Sequence, residues 1–336
     1  MPIADFETLH FSQNWQQQLA QAFTQIESLC DYLQIAINTL DISQQAAQQF
    51  ALRVPLSFAA CIEKGKPDDP LLRQVLPVSE ELTLYQGFSS DPVGDLPAAK
   101  QQGVIHKYNG RVLLITTGSC AINCRYCFRR NFPYGELQLS KQKQQAAIDY
   151  IRNNPSITEV ILSGGDPLLL NDERLGQLIA ELNSINSVKR IRIHSRLAVV
   201  LPARITRGLL KILGESNKQV IMVLHCNHSN ELNERVIIAC SQLRRYGITL
   251  LNQSVLLKGV NDNPQVLADL SENLFRYGVM PYYLHLLDKA TGTGHFEVPK
   301  LEALAIYQQL QSQLSGYLIP KLVNERAGAA FKELVI

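Results

Sequence analysis

The sequence has almost no excess of charge and no apolar run long enough to cross a membrane. Its 336 residues carry 32 Lys and Arg against 30 Asp and Glu, which gives a formal charge of +2. Proteins that bind nucleic acid usually carry a basic excess, so we expect no nucleic-acid partner. Residues 1–10 (MPIADFETLH) have acidic side chains where a signal peptide has an apolar core, and polar residues break every later apolar stretch. We therefore expect a cytoplasmic protein with no membrane partner.

The chain is also too long for a small disulfide-stapled domain and too apolar for a disordered protein. Hydrophobic residues make up 46% of it and charged residues 18%, enough to bury a sizeable core. Its seven cysteines are odd in number and follow no secretion signal, which favours reduced thiols over a disulfide framework. Four of them are expected to be small buried side chains: Cys30, Cys61, Cys226 and Cys240. The other three fall within eight residues.

Helical patterns and then prolines dominate residues 1–100. Apolar residues at steps of three and four predict one amphipathic helix over 15–33, and a second helical piece over 46–58 is interrupted at Pro55. The high density of proline between 66 and 100 excludes a long helix or a central strand. We predict a helical N-terminal region with a proline-rich wrapping segment, whose apolar stripe packs on the rest of the chain or on a second subunit of a homo-oligomer.

From residue 112 onward, short apolar runs alternate with helical patterns. We predict strands over 112–117, 159–163, 190–195, 220–225, 249–256 and 282–287. We predict helices over 140–153, 172–183, 206–213, 231–246, 264–277 and 299–314. Repeated βα units imply a parallel sheet with right-handed crossovers. Six strands are too few for a closed eight-stranded barrel, so the fold class is α/β with a partial (β/α)6 barrel over 101–315 and a short segment over 316–336.

The three clustered cysteines, Cys120, Cys124 and Cys127, have the spacing CxxxCxxC and directly follow the first predicted strand. Three thiolates on one loop can bind three irons of a [4Fe–4S] cluster and leave the fourth iron open to a ligand. A structural zinc site is the alternative, but it needs a fourth ligand and usually has paired CxxC spacings. Three buried core cysteines so close on one loop are less common still.

This spacing after the first strand of a βα series resembles that of radical S-adenosylmethionine (SAM) enzymes. The resemblance implies that the three cysteines bind the cluster, that SAM chelates the open iron, and that its reductive cleavage starts hydrogen abstraction. After the second strand comes a turn of Ser163, Gly164, Gly165 and Asp166, where the same enzymes have a glycine-rich turn beside the SAM amino group. Glycines there let the backbone approach a ligand closely. These four residues are the implied SAM contacts.

Six short motifs in order narrow the resemblance to the lysine 2,3-aminomutases. They are HKY (106–108), GRV (110–112), CFRR (127–130), LPARIT (201–206), NQSVLL (252–257) and GVND (259–262). The resemblance implies an isomerase that moves the amino group of L-lysine from C2 to C3 with pyridoxal 5′-phosphate (PLP) as a further cofactor. It also implies electrons from a reductant protein such as flavodoxin or ferredoxin.

The family binds PLP as a Schiff base on a lysine twelve residues after a proline, on a glycine-rich loop. Lys332 follows Pro320 by that interval, although the preceding AGAAF has a single glycine. An ordinary exposed lysine near a chain end is the alternative. By resemblance, the PLP contacts are Lys107, Tyr108, Arg111, Asn252 and Gln253, and His225 lines the SAM and PLP pocket.

Lysine presents a carboxylate at one end and an ammonium at the other, so its site needs a cation and carboxylates. By resemblance Arg129 binds the substrate carboxylate, and Asp288 and Glu325 bind the ε-ammonium. Ordinary surface ion pairs are the alternative for all three. A glutamate aminomutase would not favour two acids there.

Position 263 is Asn where the longer catabolic relatives have a zinc-binding cysteine, so we expect no structural zinc. The chain is most similar to the short aminomutases whose (R)-β-lysine is attached to elongation factor P by a lysine ligase. An enzyme that makes free β-lysine or acts on another amino acid is one alternative. A non-catalytic iron–sulfur scaffold is another.

Overall fold

In the computed structural model, residues 14–101 and 103–336 are described, and residues 1–10, used above to exclude a signal peptide, lie outside them. Ten strands form one sheet in which the strand order follows the chain. The strands are β1 (Ala99–Gln101), β2 (Val104–Tyr108), β3 (Arg111–Thr117), β4 (Glu159–Gly164), β5 (Arg190–Ser195), β6 (Gln219–His225), β7 (Thr249–Val255), β8 (Met280–His285), β9 (Lys321–Asn324) and β10 (Glu333–Leu334). Within the described ranges β1 and β10 are the free edges, so the barrel is open.

All six predicted strands are present as β3 to β8, and each pairs in parallel with the next. The α/β class and the partial barrel are confirmed. A seventh parallel strand, β9, extends the sheet beyond β8, and antiparallel β1, β2 and β10 flank it. These four were not predicted, because strands of two to five residues without an apolar run leave no periodic signal.

Thirteen helices occur in the described residues. They are α1 (Trp15–Ala20), α2 (Ile26–Leu33), α3 (Gln44–Gln49), α4 (Leu56–Ala59), α5 (Pro70–Arg73), α6 (Tyr134–Leu137), α7 (Lys141–Arg152), α8 (Asp172–Asn183), α9 (Leu197–Val200), α10 (Arg207–Gly214), α11 (Glu234–Arg245), α12 (Pro264–Arg276) and α13 (Lys300–Gln313). The six predicted crossover helices correspond to α7, α8, α10, α11, α12 and α13. No helix in these ranges combines the length and the apolar character needed to span a membrane.

The prediction of one helix over 15–33 was wrong, because the chain breaks between α1 and α2. There Phe23 exchanges two backbone hydrogen bonds with Val54, at 2.8 and 2.9 Å, in an isolated antiparallel bridge. The apolar spacing continues across the break, so periodicity did not reveal it. The second helical piece, predicted over 46–58 with an interruption at Pro55, forms as α3 and α4. Helix α3 already ends at Gln49, and Pro55 precedes the first residue of α4. The buried residues of α1 and α2 belong to the same core cluster as the barrel strands, so the stripe packs on its own chain.

A buried ion cluster joins the wrapping segment to the cysteine loop. Glu81 accepts hydrogen bonds from Arg125 Nε at 2.8 Å and Nη2 at 2.6 Å, and from Arg130 Nη2 at 2.7 Å. Arg125 also donates to the backbone carbonyls of Ala46 and Phe50. Since Arg125 is fully buried, its charge depends on these acceptors. The N-terminal region thereby fixes the loop that carries the three cysteines.

We expect Glu81→Gln to destabilise the fold by about 3 kcal/mol or more, because it leaves two buried guanidinium groups without their carboxylate. Glu80 is exposed and serves as the matched control, so Glu80→Gln should change the free energy of unfolding by less than about 0.5 kcal/mol. Urea unfolding of both variants measures the difference. Equal stabilities of the two variants would contradict the assigned role of Glu81.

Candidate active site

The inner face of the sheet lines a cavity of about 400 Å³. Successive side chains of a strand point to opposite faces of the sheet. In β5, Arg192 and His194 therefore line the cavity, while Ile191 and Ile193 are fully buried on the other face. The same alternation brings Glu159 of β4 and Gln253 of β7 to the cavity. The barrel strands thus combine an apolar outer face with a polar inner face.

Cys120, Cys124 and Cys127 line the cavity on the loop after β3. Burial, followed by the charges of the neighbouring cysteines and Asp166, raises the pKa of Cys120 well above its ordinary value. Burial and Cys124 raise the pKa of Cys127 to about 11. Cys124 and Cys127 are therefore close enough to Cys120 for their charges to oppose its ionisation. A cationic iron cluster bound by all three would offset that repulsion.

The turn of Ser163 to Asp166 packs directly against the cysteine loop. Gly164 has φ +121°, and a Cβ on Gly165 would come within 2.1 Å of the Ser119 carbonyl oxygen. The glycines are therefore required by contact between the two segments. The Asp166 carboxylate is buried and accepts from Ser195 Oγ at 2.8 Å and from the backbone of Arg196 and Leu197 at 2.9 Å. Asp166 thus holds the turn that follows β5.

Five charged groups alternate in sign along the cavity wall. Lys332 Nζ contacts Glu325, whose Oε1 is 3.1 Å from Lys107 Nζ. Lys107 Nζ also lies 2.6 Å from Asp95 Oδ1, and Asp95 Oδ2 is 2.7 Å from Arg129 Nε. Burial acts to raise the pKa values of both carboxyl groups, but the neighbouring cations hold those of Asp95 and Glu325 below their ordinary values.

Two members of this network differ from the sequence-based picture. Asp95 was missed, since nothing in the proline-rich segment distinguishes it from other acidic residues. Lys107 uses its three N–H donors on Asp95, Glu325 and the Val93 carbonyl, so it bridges two carboxylates in this arrangement. Lys107 lines the cavity, and its expected contact with PLP stays a prediction.

The loop before Lys332 needs only one glycine. Gly328 has φ +79°, and no alanine of the AGAAF segment has a positive φ. The antiparallel pair of Glu333 with Asn324 continues toward the loop, where Glu325 and Lys332 face each other. Glu325 and Lys332, seven residues apart in the sequence, therefore face each other across a hairpin.

Asp288 lies at the cavity beyond the end of β8, and its Oδ1 has no hydrogen-bond partner among the described residues. Burial, followed by the charge of Glu325, raises its pKa to about 7. A buried carboxyl oxygen without a partner is costly, and a cationic ligand would satisfy it.

Three neutral histidines complete the inner face. His225 Nε2 lies 2.8 Å from Gln253 Nε2, which brings two predicted residues together. Burial, followed by the charges of Arg196 and Arg129, lowers the pKa of His225 to about 3. His194 and His285 also line the cavity, with Nε2 atoms that have no partner in the described part of the chain. Both were missed, although their positions on the inner face follow from strand alternation.

Of the remaining predicted contacts, Asn252 lies outside the cavity and the others line it. Asn252 accepts from the Cys226 backbone N–H and donates to the Cys226 carbonyl, both at 3.0 Å. Adjacent strand residues face opposite ways, so Asn252 and Gln253 were not both free to reach the cavity. The expected PLP contact of Asn252 stays a prediction, and in this structure its amide is directed to the Cys226 backbone. Arg111 lies over the ring of Tyr108 at 4.6 Å, and both line the cavity.

A family model described as the radical SAM superfamily matches residues 114–270. The chain is 49% identical over 321 residues to L-lysine 2,3-aminomutase of Escherichia coli, covering 95% of this chain and 94% of that protein. It is 47% identical over 322 residues to the L-lysine 2,3-aminomutase of Haemophilus influenzae, covering 96% and 95%. A radical SAM methyltransferase from Sphaerobacter thermophilus matches with a TM-score of 0.48 and 16% identity, over 66% of this chain and 68% of that one.

Asp288 predicts a specific pH dependence of stability. Because its pKa rises from 3.8 to about 7 on folding, the folded state binds more protons between these values, and its stability falls as the pH rises through this window. Between about pH 4 and about pH 8, the free energy of unfolding of Asp288→Asn should therefore rise relative to that of wild type by about 1.4 kcal/mol or more. Urea unfolding of the cofactor-free protein measures this gain. The exposed Asp68→Asn should show no such change, and a pH-independent effect of Asp288→Asn would contradict the assignment.

Proposed function

Because the chain belongs to the L-lysine 2,3-aminomutase family of radical SAM enzymes, we propose that it converts L-lysine to (R)-β-lysine for modification of elongation factor P. Its family implies a [4Fe–4S] cluster and SAM, and we propose PLP as the third cofactor. The observation that carries the proposal is that one cavity brings the expected groups together. It is lined by three cysteines, by a lysine held by a carboxylate, and by a carboxyl group with a buried oxygen that has no partner among the described residues.

The residues around the cysteine loop fit an iron–sulfur cluster. Cys120, Cys124 and Cys127 supply three thiolates, the number that leaves one iron of a [4Fe–4S] cluster open. The cluster and SAM together supply the one-electron chemistry that starts hydrogen abstraction. Ser163, Gly164 and Gly165 line the cavity beside this loop and are the proposed backbone and hydroxyl partners of SAM. Asp166 contributes indirectly, since its carboxylate holds the neighbouring turn.

The opposite part of the site fits PLP. Lys332 presents its amine at the cavity, where Glu325 holds it. PLP supplies a carbonyl group that carries the migrating amino nitrogen. Arg111, Gln253 and Tyr108 also line the cavity and are the proposed partners of the phosphate and the ring. Tyr108 is in addition a neighbour of Glu325. Arg192 joins them, because its buried Nε has no partner among the described residues.

The charges at the two ends of the site match the two ends of lysine. Arg129 uses Nε on Asp95 and Nη1 on Ser163 Oγ at 3.3 Å, which orients the guanidinium and leaves donors for a carboxylate. Asp288 offers an unpartnered carboxyl oxygen to an ammonium group. With PLP bound at its amine, Lys332 would no longer pair with Glu325, and the Glu325 carboxylate would then be available to the ammonium group as a second acid. Two acids favour lysine over an acidic amino acid.

The anaerobically reconstituted protein should form β-lysine from L-lysine with SAM, PLP and dithionite, and chiral chromatography should identify the (R) product. Lys332→Ala should lose the product and the visible absorbance of lysine-bound PLP while it keeps its iron content. Lys321 on β9 is exposed, so Lys321→Ala serves as the control and should keep both signals. If Lys332→Ala still shows the absorbance of lysine-bound PLP, the assignment of Lys332 as the PLP lysine is wrong. If the protein turns over another amino acid but not lysine, the assignment of L-lysine as the substrate is wrong.

Mass spectrometry of elongation factor P tests the physiological part of the proposal. Cells that lack this protein should contain elongation factor P without the β-lysyl mass, and the wild-type gene should restore it. The Lys332→Ala gene should fail to restore it, whereas the Lys321→Ala gene should succeed. Restoration by Lys332→Ala would indicate a scaffold role. An unchanged β-lysyl adduct in the deletion strain would point to free β-lysine as the end product.

A further inference from the structure

A buried arginine that the sequence reasoning did not single out lies against the cysteine loop. Arg196 follows β5, and its Nη1 donates to Cys124 Sγ at 2.7 Å and to Tyr126 Oη at 2.6 Å. Within the described ranges, Cys124 is the one of the three clustered cysteines that receives a hydrogen bond from an arginine. The whole Arg196 residue is 5% exposed, so solvent screens its charge little.

The guanidinium is held from its far side. Its Nη2 donates to Gln74 Oε1 at 2.7 Å and to Glu231 Oε2 at 3.2 Å, and Glu231 is also buried. The Gln74 carbonyl accepts from the backbone N–H of Arg125, the residue after Cys124. The backbone of Arg196 is fixed in turn by Asp166. The charge therefore has a set position relative to the Cys124 sulfur before any cofactor binds.

We infer that Arg196 is a positioning residue that raises the reduction potential of the cluster through the sulfur of Cys124. This inference rests on the proposed ligation of the cluster by Cys124. Reduction adds one electron to the cluster, and a buried cation beside a cysteine ligand stabilises the added negative charge. Hydrogen bonds to cluster sulfurs and local charge are established determinants of such potentials. Glu231 lies behind the guanidinium and acts in the opposite direction.

The pair therefore predicts shifts of opposite sign. Arg196→Gln removes the cation and should make reduction at least tenfold less favourable, which is 59 mV for a one-electron couple. Arg196→Lys keeps the charge and should recover most of that loss. Glu231→Gln removes the opposing anion and should shift the potential upward. A purely structural role would not give these two signs.

The experiment is a redox titration of the anaerobically reconstituted full chain, followed by the electron paramagnetic resonance signal of the reduced cluster, without SAM. Iron content and visible absorbance first establish that each variant holds its cluster. Arg204 is the matched control, because it is a fully buried arginine that donates to the carbonyls of Leu168 and Leu170. Arg204→Gln should leave the potential of the cluster unchanged.

A cluster-loaded Arg196→Gln variant with the wild-type potential would overturn the inference, as would shifts of the same sign in Arg196→Gln and Glu231→Gln. If Arg196→Gln does not load, an upward shift in Glu231→Gln supports the inference and an unchanged potential there overturns it. Cys124→Ser separates this result from the parent proposal. A wild-type cluster in Cys124→Ser would reject the ligand assignment, whatever Arg196 does.

Discussion

Pairing of buried charge is the constraint on which the site depends. An isolated ion costs several kcal/mol to bury, and the cost falls only when an opposite charge lies within contact distance. The network from Lys332 through Glu325, Lys107 and Asp95 to Arg129 meets this condition by alternating in sign. Its members come from the proline-rich segment, β2, the cysteine loop and the C-terminal hairpin. The site therefore forms only when all four regions have folded together.

Pairing also explains why the ends of the chain contribute to a site in the barrel. Most of the inner face is carried by β3 to β8, but the carboxylates that compensate Lys107 and Arg129 lie outside those strands. Asp95 reaches the cavity because the wrapping segment is fixed at Glu81. Glu325 reaches it because β9 continues the parallel sheet beyond β8. The parts added around the barrel thus supply the counter-charges that its inner face requires.

Local sequence patterns predicted the strands and helices of the barrel. The rest of the site depends on contacts between residues that are distant in the sequence. The six barrel strands, their helices and the cysteine loop have periodicity or spacing that the sequence displays. Asp95 and Arg196 have none, because each acquires its surroundings from residues far away in the chain. His194 and His285 differ from them, because strand alternation already places both on the inner face. The case of Asn252 and Gln253 is different. Strand alternation alone showed that two adjacent amides face opposite sides, so only Gln253 should have been assigned to the cavity.

The two halves of the cavity use opposite electrostatic arrangements, and one turn joins them. Around Lys332, carboxylates compensate the lysine and arginine side chains. Around Cys124, the buried Arg196 cation contacts the cysteine sulfur. Ser163 accepts from Arg129 in the first half, and Asp166, three residues later, fixes Arg196 in the second. The close contact of Gly165 with Ser119 holds this turn against the cysteine loop. A larger residue at Gly164 or Gly165 would therefore disturb the surroundings of both Arg129 and Arg196. For this reason a short turn, in which Asp166 is the one ionisable residue, affects both halves of the site.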